Sequence, residues 1–144
     1  MTSTYSFADV SLIVSNPYFG QYIATGTGLG QITVTMTTER SAHDMAADGS
    51  VMVSKIKGRN GTIALQVQQT SDFQKWLLRL YNYLEQAATN TWASTTIIVR
   101  SPAMQDLHTA TGVSFGKLPD RPYQAQGQKV SWSLMAADIQ QDIA

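Results

Sequence analysis

The chain has no cysteine, so disulfide staples and a cysteine nucleophile are both excluded. A protein without them fits assembly in a reducing cytoplasm. Charge is scarce as well: Asp, Glu, Lys and Arg make up 14% of the residues and the formal net charge is +0. A typical soluble domain carries about 25%. The polar surface must then be built from Thr, Ser, Gln and Asn, and such a surface resists self-association weakly. A protein that grips nucleic acid needs a basic stripe to neutralise phosphates, and this composition argues against one. Long apolar runs are missing too; none approaches the roughly 18 residues of a membrane helix. Met1-Thr2-Ser3-Thr4-Tyr5 has no basic region leading into an apolar stretch, so no signal peptide is expected. The expectation is a soluble intracellular product with no membrane partner.

What is present is alternation. The 144 residues suffice for one domain, 1–144, with a real core. Tyr5 to Val14 reads as a first strand with Val10, Leu12 and Val14 on one face, ended by Asn16-Pro17. Residues 16–30 read as a long Gly-rich connection containing Tyr18, Phe19 and Tyr22, its second half loosened by Gly26, Gly28 and Gly30. Ile32, Val34 and Met36 alternate with threonines, the pattern of a strand buried on one face. Glu39 to Met45 is the foot of a hairpin arm with Asp48-Gly49 at its tip, and Val51 to Ile56 returns as a strand. Gly58-Arg59-Asn60-Gly61 is a second tight turn before Ile63, Leu65 and Val67.

At Thr70-Ser71 the period changes from 2 to 3.6. Ser71 is an N-cap, with Gln74 three residues on as a capping box requires and Asp72 favourable to the helix dipole. Phe73, Trp76, Leu77, Leu80, Tyr81 and Leu84 fall on one stripe, predicting a helix over about 72–87 that covers an open end or face of the sheet. Strand character resumes at Ala93 to Arg100 and again within Leu107 to Leu118, with Val113 and Phe115 inward. Pro119 to Pro122 is a loop, and Val130, Trp132 and Leu134 mark a last strand. Residues 136–144 form a short helix or a loose arm. The whole is mainly β: an antiparallel β-sandwich or barrel of about seven or eight strands with one flanking amphipathic α-helix.

Candidate chemistry is thin. Gly26-Thr27-Gly28-Leu29-Gly30 imitates a dinucleotide loop but precedes β residues, so no helix N-terminus waits for a phosphate. His43, Asp44, Asp48 and His108 are candidates for a metal cluster. His43 and Asp44 are adjacent and would face opposite ways on a strand, Asp48 belongs to a turn, and His108 reads as a surface histidine near a strand start. There is no Gly-x-Ser-x-Gly elbow, and no Ser-His-Asp spacing supports a triad. Trp76 and Trp132 read as core; Trp92 plugs a sheet edge or an interface. No cofactor is expected.

Several segments together resemble the tail tube, or inner tube, subunits of contractile-tailed bacteriophages. Thr4 to Val10 is similar to the family opening, Ala47 to Val53 to its central hairpin, and Gly61 to Ser71 to the strand that feeds its helix. Phe115 to Pro119 and the Gly127 to Leu134 strand also fit. The resemblance implies a structural, non-enzymatic virion protein with a small β-barrel or sandwich. Six copies would close into a ring, and rings would stack into a hollow tube that conducts DNA without binding it. Its partners would be other copies, the sheath, the baseplate and the terminator; it would be assembled in the host cytoplasm and reside in the tail. Type VI secretion tube proteins share the fold.

On this reading Val51 to Lys57 and Thr62 to Gln68 join the inner barrel, with Gln66 and Gln68 toward the lumen. The 39–58 arm, with Arg40, His43, Asp44, Asp48 and Gly49, contacts the next ring, and the helix lies outside. The alternatives are another tail or head-completion ring protein, a monomeric ligand-binding β-barrel using Trp92 and Tyr22, and an unrecognised enzyme.

Overall fold

The computed structural model describes residues 2–25 and 28–143. Among these residues nine strands and one α-helix follow in chain order. They are β1 (Ser11–Asn16), β2 (Gly20–Thr25), β3 (Leu29–Met36), β4 (Ser41–Met45), β5 (Val51–Lys55) and β6 (Gly61–Gln68), then α1 (Asp72–Gln86), β7 (Thr95–Ser101), β8 (Asp106–Lys117) and β9 (Lys129–Ile143). Seven strands form one antiparallel sheet in the order β2-β1-β7-β8-β9-β6-β3, and β4-β5 stands apart as a two-stranded arm.

The edges of the large sheet are β2 and β3, which six inter-strand spacings would hold about 29 Å apart if the sheet were flat. Yet Thr25 and Leu29 are four residues apart, a reach of about 14 Å at most. The sheet must therefore coil on itself. It does so into a sandwich-like body and not a closed barrel, since among the described residues no ladder joins β2 to β3. Inside lie Leu12, Val14, Ile63, Leu65, Val67, Ile97, Trp132 and Leu134, all nearly free of solvent.

Helix α1 crosses from β6 to β7 and seals one side of this core. Phe73, Leu77, Leu80 and Leu84 are buried, while Trp76 and Tyr81 are half-buried at the margins. Tyr22 of β2 stacks on Phe73 with ring centroids 5.0 Å apart, and Trp76 meets both Phe19 and Tyr22 at 5.6 Å. Tyr81 packs edge-on against Phe115 and Trp92, which places Trp92 over the helix and not at a free sheet edge. Ser71 caps the helix, its Oγ accepting from Gln74 N at 3.3 Å. The Gln74 side chain does not return to complete the box. It is 1% exposed and accepts a 2.6 Å hydrogen bond from Trp132 Nε1, because the buried indole N–H needs an acceptor while the cap amide, Ser71 N, already donates to Gln68 O at 3.0 Å.

Several expectations change. The first strand begins at Ser11, not Tyr5; residues 7–9 form a 3-10 turn capped by Ser6. The connection expected over 16–30 contains β2, paired with β1 along its whole length. Asn16, 3% exposed, organises that hairpin: its Oδ1 accepts from Tyr18 N and Phe19 N, and its Nδ2 donates to Ser94 and Thr95. Of the glycines assigned to that connection, Gly26 lies outside the described residues. Residues 51–57 are not in the main body; β5 pairs with β4. The tail is neither helix nor loose arm, since β9 runs to Ile143 along β8. Gly112 (φ 62°) supplies an extra residue in β8, so that Ala110 and Val113 both point inward and the burial phase of β9 shifts opposite it.

Candidate functional site

The outward surface of β3-β6-β9 is ordered in cross-strand rows. Gln31, Gln66 and Ser131 form one; Thr33, Ala64 and Ser133 the next; Thr35, Thr62 and Met135 a third. The hydroxyls and amides arise because each strand alternates, and register sets the polar halves side by side. Gln66 and Gln68 fall on this face, half-buried and exposed respectively. With Gln69, Gln126, Gln128 and Lys129 they line a wide recess of ≈ 700 Å³. Gln69 shapes it: its Nε2 donates to Pro122 O at 2.6 Å, and its backbone N donates to Gln128 O at 3.1 Å. Sequence reasoning missed Gln69, whose role depends on a loop 53 residues away. Across the sheet the outward face changes character: Ile23, Ile13 and Ile98 form an apolar cross-strand row.

The arm carries the second group. Every residue of β4 and β5 is exposed, including Met45, Val51, Met52 and Val53. A hairpin with no buried face is marginal alone, so its turn matters. Gly49 sits at φ 90° and donates to Ala46 O, while Ala46 N donates to Ser50 O. That is a three-residue loop closed by a left-handed glycine. Asp48 Oδ1 accepts from Ser50 Oγ at 2.7 Å and Ser50 N at 3.0 Å. These bonds, the hydroxyl first, hold its carboxyl below the ordinary carboxylate value. His43 and Asp44 are consecutive on β4, opposite Val53 and Met52. At the root, Arg40 Nε donates to Ile56 O at 2.7 Å, Thr38 bonds Asn60, and Arg59 pairs with Asp138 of β9 at 2.7 Å.

The arm is therefore anchored at its foot and free beyond it. His43, Asp44 and Asp48 stand on it, whereas His108 is on β8; no group of three His, Cys, Asp or Glu that could hold a metal exists among the described residues. His108 is half-buried: it stands on the inward face of β8 opposite Val99, and its Nδ1 is buried. Among the described residues no helix is long and apolar enough to cross a membrane.

No curated protein matches the sequence. Solved structures do match in fold. A chain in the structure of the sheath/tube terminator of PVC, an extracellular contractile injection system, aligns with a TM-score of 0.60 at 8% identity, covering 98% of each chain. A chain of the anti-feeding prophage baseplate, a six-fold symmetrised structure, aligns with a TM-score of 0.62 at 10% identity over 99% of this chain and 97% of that one. A chain of the PVC sheath-tube complex gives 0.55 at 10% identity over 92% and 88%. At these identities the likeness is one of fold. The sequence itself is matched over residues 2–144 by the family described as the bacteriophage PhiTE tail tube protein, so the chain belongs to that tail tube family, whose members are structural parts of the phage tail and not enzymes.

Proposed function

We propose that the chain, acting as one domain over 1–144, closes into six-membered rings that stack into the hollow tube through which DNA leaves the virion. The observation that carries this reading is the Thr/Gln/Ser-rich face of β3-β6-β9, with Lys129 at its end beside Gln68, in a member of a tail tube family. A conduit for DNA must not hold phosphates, and a lining of neutral amides and hydroxyls meets that demand where a basic lining would not. In this arrangement Gln66 and Gln68 face the lumen. The arm, with Arg40, His43, Asp44, Asp48 and Gly49, reaches the adjacent ring, and α1 turns its polar face outward to the sheath. Baseplate and terminator proteins bound the tube at its two ends, and growth takes place in the host cytoplasm. Among the described residues β2 and β3 are the edge strands of the sheet, and edge strands suit lateral pairing between copies. A head-to-tail contact of this kind closes into rings or extends as a filament.

A second reading, a terminator or baseplate ring that does not extend, is favoured by the fold likeness to a chain in the structure of the PVC sheath/tube terminator and to one in the structure of the anti-feeding prophage tube-terminating cap, the latter with a TM-score of 0.58. Negative-stain electron microscopy across a concentration series, beside size-exclusion chromatography, decides. Tubes of constant diameter support the tube subunit, isolated rings support the second reading, and a strict monomer at high concentration defeats both.

A further inference from the structure

The arm has two unlike sides, because side chains alternate along its strands. Register places Met45 beside Val51, His43 beside Val53 and Ser41 beside Lys55 on one side. Asp44 beside Met52 and Ala42 beside Ser54 occupy the other. Met45, Val51 and Val53 therefore form a single apolar patch, and all three are exposed. From tip to foot, this side passes from the Asp48 carboxylate through the apolar patch to the polar pair Ser41 and Lys55. A two-stranded ribbon with no buried face is marginal in water, so this side is one that a partner would stabilise.

The outward surface of β2-β1-β7 repeats this order with the charge reversed. Thr25, Ser11 and Arg100 make its first row, Ile23, Ile13 and Ile98 its second, and Gln21, Ser15 and Thr96 its third. Ile23 is exposed, and Ile13 and Ile98 are half-buried. Leu12, Val14 and Ile97 point the other way into the core, so the isoleucine row is not part of it. Arg100 is exposed, and the ion pair found among the described residues, Arg59 with Asp138, does not involve it. Its row runs on through Leu107 to Asp142, two strands and about 10 Å away.

We infer that the Met45-Val51-Val53 side of one copy's arm packs face to face on the Ile23-Ile13-Ile98 row of an adjoining copy, with Asp48 beside Arg100. The matched order sets the direction of the arm along β1: acid meets base, apolar meets apolar, and Ser41 and Lys55 meet the hydroxyls and amide of the third row. A second copy is the occupant because the two surfaces are complementary and every chain carries one of each. Each arm then finds a row, and each row an arm, as the assembly grows. The surfaces differ, so the contact is head-to-tail and propagates. This deepens the stacking reading, in which the arm reaches a neighbour, and rests on it.

The chain has no cysteine, so engineered thiols are the only ones present. Sheets packed face to face lie about 10 Å apart, beyond the roughly 7 Å that a disulfide spans between Cα atoms, so a short bismaleimide is the right probe. Val53→Cys and Ile23→Cys chains, each altered at an exposed position, are mixed, assembled and treated with it. The expected product is a dimer joining one chain of each kind through positions 53 and 23, read by mass spectrometry of the linked peptides. Met52→Cys, on the other side of the arm, gives little of that product. In a second measurement Val53→Asp and Ile23→Asp each raise the threshold concentration for assembly about tenfold or more, because the contact would bury an unpaired charge. Ser54→Asp, on the opposite side of the arm, shifts it less than about twofold. Assembled material that links position 52 to position 23 as strongly as position 53, or that forms no mixed dimer, overturns the contact while leaving stacking intact. So does a Val53→Asp chain that assembles at the parental concentration. A parent chain that never assembles defeats the stacking reading and the contact together.

Discussion

Trp132 and Gln74 join the sheet to the helix through one buried hydrogen bond of 2.6 Å. Removing the donor with Trp132→Phe leaves Gln74 Oε1 buried without a partner, which costs roughly 1–3 kcal/mol. The smaller ring in a fully packed site adds roughly 1–2 kcal/mol of lost contact and cavity. Gln74→Met acts differently. It strands the indole N–H, but it also deletes Gln74 Nε2, which is itself buried and unpartnered, so the two effects nearly cancel and the change stays within about 1 kcal/mol. The double variant has no stranded polar atom at this contact and is left with the ring-size penalty alone. It should therefore be more stable than Trp132→Phe by itself, with a coupling of about 1–3 kcal/mol between the sites. Urea unfolding followed by far-UV circular dichroism measures this, and each kcal/mol corresponds to about 2–4 °C in Tm for a chain near this size. Additivity within about 0.5 kcal/mol would refute the reasoning, since it would mean that the bond contributes nothing.

Three further outcomes follow from the same structure. A Cβ at position 61 would collide with the Thr35 carbonyl oxygen and stand 2.8 Å from Ile139 Cδ1, so Gly61→Ala should lower stability by about 2 kcal/mol or more in the same urea assay. The Asp48 carboxyl is held below its unfolded value, so its contribution to the arm turn is complete above the unfolded pKa near about 4 and fades as pH falls through the folded value. Amide exchange at Ser50 should speed up across that acidic window in the parent chain, and Ser50→Ala should narrow the window. Asp48→Pro with Gly49→Pro removes the Gly49 donor and its positive φ; the monomer should keep its circular dichroism while tube growth stops, and long tubes under the electron microscope would remove the arm from ring-to-ring contact.

Much of this protein was legible in its residues because local patterns carried it. Alternation placed Ile63, Leu65, Val67, Trp132 and Leu134 inward, and the switch in period after Thr70 marked the helix to within a residue or so. Asp48-Gly49 announced a hairpin tip because a left-handed residue was needed there. Other features were decided by distant partners. The strand Gly20–Thr25 hid among glycines and aromatics, and is a strand because β1 pairs with it and Asn16 folds the turn. Residues 136–143 have no clean alternation, since the bulge at Gly112 changes their phase, and only the ladder with β8 keeps them extended. Gln74 satisfied a local capping rule, yet its side chain was claimed by an indole 58 residues away. The recess at Ser101 and His108 has no signature in sequence at all. Periodicity records which face of an element is buried, because burial repeats with the backbone's own geometry. Which elements become neighbours, and which polar atoms are buried with or without a partner, depends on how a coiled sheet closes, and that is settled only when the whole chain has folded.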